Sequence, residues 1–167
     1  MSRGKFVQNH RKEKFINSIP DTSIENSKLS KRCKFNFSFF DGSQPAGPNI
    51  ADIPKADLDV LFEKLRLFSK EPLSYWQNAR CGGGGLNIME VYGNFPKKSD
   101  FQKPKHVPHD ALWARFRFDN MTRLVGFVVP TDMDGKYDRN DGHRFDINTF
   151  YVVFYDPDHR FYMSENK

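Results

Sequence analysis

Two spacings of hydrophobic positions organise the chain. Leu58, Leu61, Phe62, Leu65 and Phe68 recur at i, i+3, i+4, i+7 and i+10, which sets them on one face of a helix. Lys55, Asp59, Glu63, Lys64 and Arg66 fill the opposite, wet face, and Pro54 suits a first helical turn. The spacing predicts a helix over 54–69, followed by a shorter one that Pro72 opens and that carries Tyr75, Trp76 and Ala79. Elsewhere the period is two. Phe35, Phe37 and Phe39 alternate with Asn36 and Ser38, as in a half-buried strand closed by Phe40-Asp41-Gly42. The Pro- and Gly-rich stretch 41–54 reads as a loop, and 86–92 as a strand.

The second half predicts a meander. Over 112–118, Leu112, Ala114, Phe116 and Phe118 share one face, while Trp113, Arg115 and Arg117 share the other. Asp119-Asn120 is turn chemistry. Residues 123–129 form the next strand, with Gly126 at a bulge. A charged loop over 130–146 leads to the near-continuous apolar run 149–155, suited to a central strand covered on both faces. Asp156-Pro157-Asp158 turns the chain into a final edge strand, His159 to Met163. The expected fold is α+β: two helices packed on one face of a mostly antiparallel β-meander, residues 35–167, preceded by a basic arm, 1–34, across which no period survives.

Composition sharpens this picture. The chain has 167 residues and 17 Phe, with 15% aromatic side chains, so it carries a Phe-built core despite a mean hydropathy of −0.71. Its longest apolar run, Phe150 to Tyr155, is far short of the roughly 20 residues of a membrane span. The beginning Met-Ser-Arg-Gly-Lys has no apolar stretch of a secretory signal. Two cysteines, Cys33 and Cys81, are too few for a disulfide scaffold or a four-thiolate zinc site. These features point to a reducing, cytoplasmic setting and to no membrane partner. Residues 1–35 hold nine Lys and Arg against three acids, whereas the rest of the chain is nearly balanced. The arm is therefore either a polyanion-binding segment or a solvated tail.

Several residues are candidates for chemistry. Lys103-Pro104-Lys105-His106-Val107-Pro108-His109-Asp110 brings two imidazoles and a carboxylate together. A metal site is one reading, but Pro108 removes the helical spacing and no second cluster completes the ligands. A solvated loop capped by Asp110 is another, and a histidine acid or base facing a phosphate is the third. Arg115 and Arg117 beside Trp113 form either a surface that binds phosphate and stacks a base, or an ordinary polar face paired to Asp119 or Glu90. Arg123 opens an otherwise apolar strand. His159, Arg160 and Tyr162 offer a base, a cation and a proton donor for metal-free RNA cleavage, or else simply finish the sheet. The Gly82–Gly85 run lacks the Gly-Lys-Ser/Thr of a phosphate loop and reads as a flexible turn. Asp132, Asp134, Asp138 and Asp141 do not fit a calcium loop.

Arg123-Leu124-Val125-Gly126-Phe127 and Asn148-Thr149-Phe150-Tyr151-Val152-Val153-Phe154-Tyr155-Asp156-Pro157-Asp158-His159-Arg160-Phe161-Tyr162 resemble small bacterial proteins with an Arg-hydrophobic-Gly strand and an Asp-Pro-Asn/Asp-His turn. The order of two helices before a meander ending in His and Tyr is similar to RelE-type toxins of toxin–antitoxin systems. That resemblance implies a metal-independent endoribonuclease using no cofactor, with Arg123, His159 and Tyr162 at the sheet's end. It also implies RNA, the ribosome and an antitoxin as partners. His109 joins His159 as the expected acid–base pair by inference from residue type. Lys103, Lys105, His106, Trp113, Arg115 and Arg117 are the expected RNA contacts. The alternatives are a non-catalytic nucleic-acid-binding subunit of a phage or host-defence complex, and a pure protein-interaction subunit.

Overall fold

The computed structural model describes residues 9–19, 23–83 and 85–163. Gly84 of the glycine run, and residues 1–8 and 20–22 of the basic arm, lie outside the described residues. The chain forms two compact units, Met1–Ser30 and Lys31–Lys167.

The first unit holds helix α1, His10–Ser18. The Asn9 side chain caps it by accepting hydrogen bonds from the Arg11 and Lys12 backbone N–H groups. The period count over 1–34 misses this element, because its hydrophobes, Phe15 and Ile16, do not form a stripe and none of its residues is buried.

The second unit is α+β. Helices α2, Lys55–Phe68, and α3, Leu73–Asn78, accompany a five-stranded sheet. Its strands are β1 (Lys34–Asn36), β4 (Met89–Gly93), β5 (Leu112–Arg117), β6 (Arg123–Val128) and β7 (Thr149–Asp156), in the order β1-β7-β6-β5-β4. Only β1 runs parallel to its neighbour. A separate two-stranded ribbon pairs β2, Arg80–Cys81, with β3, Leu86–Asn87. The predicted strand over 86–92 is thus broken at Ile88, whose N–H donates to Ala79 O while its carbonyl accepts from Arg117 N.

Both faces of the sheet are covered. On one, Leu61, Phe68, Leu73 and Trp76 from the helices meet Phe116, Leu124, Phe150 and Val152. On the other, loops bring Ala46, Phe101, Val107 and Phe161 over Trp113, Val125, Phe127 and Phe154. A bulge between β6 and β7 leaves Val153 without a register partner, since Val125 pairs with Phe154 and Gly126 with Val152. Val153 and Phe154 consequently both enter the loop-side core.

Two predicted strands differ. The Phe35–Phe39 strand stops at Asn36, whose side chain accepts the Ser38 N–H and turns the chain. Phe35 packs on Phe116 and Phe150 on the helix side, while Phe39 packs on Phe127 and Tyr151 on the loop side. The period-2 pattern there records a crossing between cores. The His159–Met163 edge strand does not form either. The buried Asp156 carboxylate accepts the N–H groups of Asp158, Arg160 and Phe161 and coils the backbone. Arg160 then pairs with Asp100 at 2.7 Å, and Phe161 drops into the core.

Candidate functional site

The Asp119–Thr122 turn joins β5 to β6 and fixes which arginines meet. The Asp119 carboxylate accepts the Met121 and Thr122 N–H groups at 2.8 and 2.7 Å. Burial alone would raise this carboxyl, but those bonds hold it below the ordinary aspartate range. The resulting register sets Arg117 opposite Arg123 and Arg123 opposite Asp156; one step along, Arg115 lies between Glu90 and Val125. Because side chains alternate between faces, Arg115, Arg117 and Arg123 all rise on the loop side at one end of the sheet.

Their surroundings differ. Arg123 is 1% exposed. Its Nη1 donates to Asp119 O at 2.7 Å and Thr122 O at 2.8 Å, and its Nη2 to Asn120 O at 3.0 Å. Burial, with Arg115 and Arg117 beside it, pulls this guanidinium down to about 10, still cationic at neutral pH. Arg115 is also buried; its Nη2 donates to Glu90 Oε2 at 2.7 Å and its Nε donates to the Tyr92 hydroxyl. Tyr92 in turn stacks on Tyr162 with ring centroids 4.8 Å apart. Three guanidinium nitrogens are nevertheless buried without an acceptor among the described residues: Arg115 Nη1, Arg117 Nε and Arg123 Nε.

His159 completes this end of the sheet. The Asp156 turn holds its backbone at φ +57°, in the left-handed region that few side chains adopt. His159 and Asp158 line an open pocket of about 310 Å³ with Arg117, Asn120, Met121 and Arg123. Burial lowers the His159 imidazole below its ordinary range, the Arg123 and Arg115 charges push the same way, and Asp156 opposes them.

The other candidates lie elsewhere. Lys103, Lys105, His106 and His109 belong to the loop that enters β5 from its opposite end. His106 Nε2 lies 3.1 Å from Phe39 O, and its ring stacks on Phe39 beside Phe127 and Tyr151. The five strand steps from Leu112 to Arg117 cover roughly 17 Å at about 3.3 Å per residue. His109 and His159 therefore stand at opposite ends of the sheet, and the expected acid–base pairing of the two is corrected. Trp113 is 1% exposed beneath Phe95, Phe154 and Phe161 and cannot stack a base. Arg123, expected to act on substrate, spends its Nη groups on its own hairpin. Arg115 follows the paired reading through Glu90. Tyr162 is 44% exposed and stacks on Tyr92, which in turn accepts a hydrogen bond from Arg115.

Sequence reasoning missed Asn120, Met121 and Asp158 as pocket residues. The hairpin is centred on Asn120, one half-step past the middle of the Asp-Asn pair, and that centre sets Arg117 against Arg123. Among the described residues, no three His, Cys, Asp or Glu side chains converge as a metal-binding group, and no helix is long and apolar enough to cross a membrane. No family model, curated protein or solved structure matches the chain.

Proposed function

We propose that this protein binds RNA through its phosphates, with the Arg117–Arg123–His159 pocket as the anion site. One observation carries the reading: Arg117 and Arg123 line one pocket with His159, and each has a buried nitrogen with no acceptor among the described residues. Buried donors are nearly always paired, and leaving one unpaired costs about 1–3 kcal/mol. A phosphate oxygen is the acceptor that guanidinium groups bind best. The arm's excess of Lys and Arg supplies sequence-independent attraction to the same polymer. In this reading the protein is the nucleic-acid-binding subunit of a larger assembly. Its two free cysteines, Cys33 buried and Cys81 partly so, suit a reducing, cytoplasmic setting.

The test is titration of the full chain with labelled single-stranded RNA over a salt series, beside Arg117→Gln. Binding that weakens steeply with salt, and less steeply in the variant, supports the reading. Salt-independent binding, or none, rejects it.

His159 favours a second reading, a metal-independent endoribonuclease resembling RelE-type toxins. An imidazole held neutral near pH 7 can accept a proton. His159 would take the 2′-OH proton as the 2′-oxygen bonds to phosphorus. The bond to the 5′-oxygen would break, with water protonating the leaving group and the arginines neutralising the phosphorane charge. An antitoxin and the ribosome are partners under this reading. Incubation with RNA in EDTA, beside His159→Asn, separates the two: products lost in the variant support catalysis, and bound but intact RNA supports the subunit.

A further inference from the structure

We infer that the anion pocket is one half of a nucleotide site, and that the base attached to the bound phosphate seats in the adjoining apolar pocket. The inference rests on the anion reading above. The second pocket, about 370 Å³, lies between the end of α2, the β2–β3 ribbon and the β5–β6 hairpin. Leu86, Ile88 and Phe118 line it, with Cys81 on the ribbon side, and Lys64 and Asp119 add one charge of each sign to a mostly apolar wall. Arg117 and Asn120 line both pockets, so a single side-chain wall separates cationic from apolar space.

Charge and polarity then specify the occupant. A bare phosphate uses only the arginine side, and an apolar ligand brings no counter-charge to Arg117 and Arg123. A nucleotide offers both an anion and a flat, largely apolar ring on one short linker. Aromatic and aliphatic walls hold such a ring with little regard to which base it is, because every base has a π-face. Asn120, on the shared wall, carries an amide suited to a ring edge or sugar hydroxyl.

Cys81 makes the inference testable, because it reports on the apolar pocket alone. The chain's other thiol, Cys33, is 3% exposed, donates to Phe68 O at 3.2 Å and is pushed up to about 12 by burial, so it does not compete for a thiol reagent. N-ethylmaleimide, a neutral reagent, is applied to the full chain alone, with inorganic phosphate, and with 3′- or 5′-AMP. AMP at ten times its Kd leaves about one site in eleven free, so Cys81 labelling should slow roughly tenfold. Phosphate at matched occupancy should leave the rate unchanged. Leu86→Asp, at an exposed position, should remove the advantage of AMP over phosphate and keep phosphate binding. If AMP binds no tighter than phosphate and does not protect Cys81, the base pocket is wrong while the anion pocket stands. If neither phosphate, AMP nor RNA binds, both fall.

Discussion

Arg117 and Arg123 face each other directly across the β5–β6 hairpin, two like charges in a position where opposite charges normally pair. Asp156, on the far side of Arg123, gives its oxygens to three backbone N–H groups of the following turn. Arg117 and Arg123 repel each other across the hairpin, with no carboxylate in an ion pair with either among the described residues. Arg117→Gln should therefore raise stability by about 0.2–1 kcal/mol, the usual size of a cross-strand charge term. The same change should lower the magnitude of the salt slope for single-stranded RNA by about 0.7, one phosphate contact. Urea unfolding and a salt titration of the same preparation read the two effects. A variant that is less stable, with RNA binding unchanged, would show that Arg117 serves packing.

Arg123 should behave in the opposite way. Its guanidinium ties three carbonyls of one turn together at 2.7 to 3.0 Å while almost wholly buried. Arg123→Ala removes the hydrogen bonds from a charged donor to those carbonyls and opens a hole, a loss of about 1.5–3 kcal/mol or more. Arg123→Lys should recover little, because an ammonium cannot reproduce the planar fork that reaches three carbonyls. The shift in the urea midpoint measures this. A near-wild-type midpoint for Arg123→Ala would show that its guanidinium does not hold the turn.

Gly126 is fixed by close approach. A Cβ there would stand 2.1 Å from Tyr151 O and 2.7 Å from the Phe150 ring. Neither β7 backbone nor a buried ring gives way easily, so Gly126→Ala should cost about 1–3 kcal/mol or more. Gly135, where a Cβ would meet nothing within 4 Å but φ is +66°, offers a control in which only backbone strain is added. Gly135→Ala should cost less in the same urea experiment. Equal losses would mean that the β6–β7 contact relaxes freely.

The sheet was legible where one residue type dominates one face. Leu112, Ala114 and Phe116 against Trp113, Arg115 and Arg117 divide as their alternation predicts. The 54–69 helix was legible from its spacing, though the stripe that packs is Leu58, Leu61, Leu65 and Phe68, and Phe62, expected on it, is 66% exposed. Phe35 and Phe39 misled because a chain crossing the sheet's end also alternates. The 159–163 segment misled because the decisive interaction is a side chain capturing backbone donors: Asp156 takes the N–H groups that a strand would have used. The site was half legible. Arg117, Arg123 and His159 are recognisable from their types, but joining His159 to His109 required knowing the ends of the sheet. Trp113 shows the same limit: an aromatic beside arginines suits a stacking platform until the covering loop residues Phe95 and Phe161 are in place.

His159 should give the pocket a pH dependence with two signs. Burial and the nearby Arg123 and Arg115 hold its folded-state pKa below the ordinary 6.5, against the opposing pull of Asp156. As pH falls below 6.5, the unfolded chain takes up this proton before the folded one does. The contribution to stability is thus complete above 6.5 and is lost as pH falls towards the depressed folded value. RNA binding should run the other way. The diester backbone keeps its charge from pH 8 to 5, and a protonated imidazole adds a cation to the pocket, so affinity should rise over the interval in which stability declines. His159→Asn should flatten both curves, because asparagine tolerates the left-handed backbone at φ +57° without carrying a titrating group. Parallel urea and RNA titrations at pH 5.5, 6.5 and 7.5 decide the matter. If the variant keeps the wild-type pH dependence of RNA affinity, His159 does not face the bound phosphate.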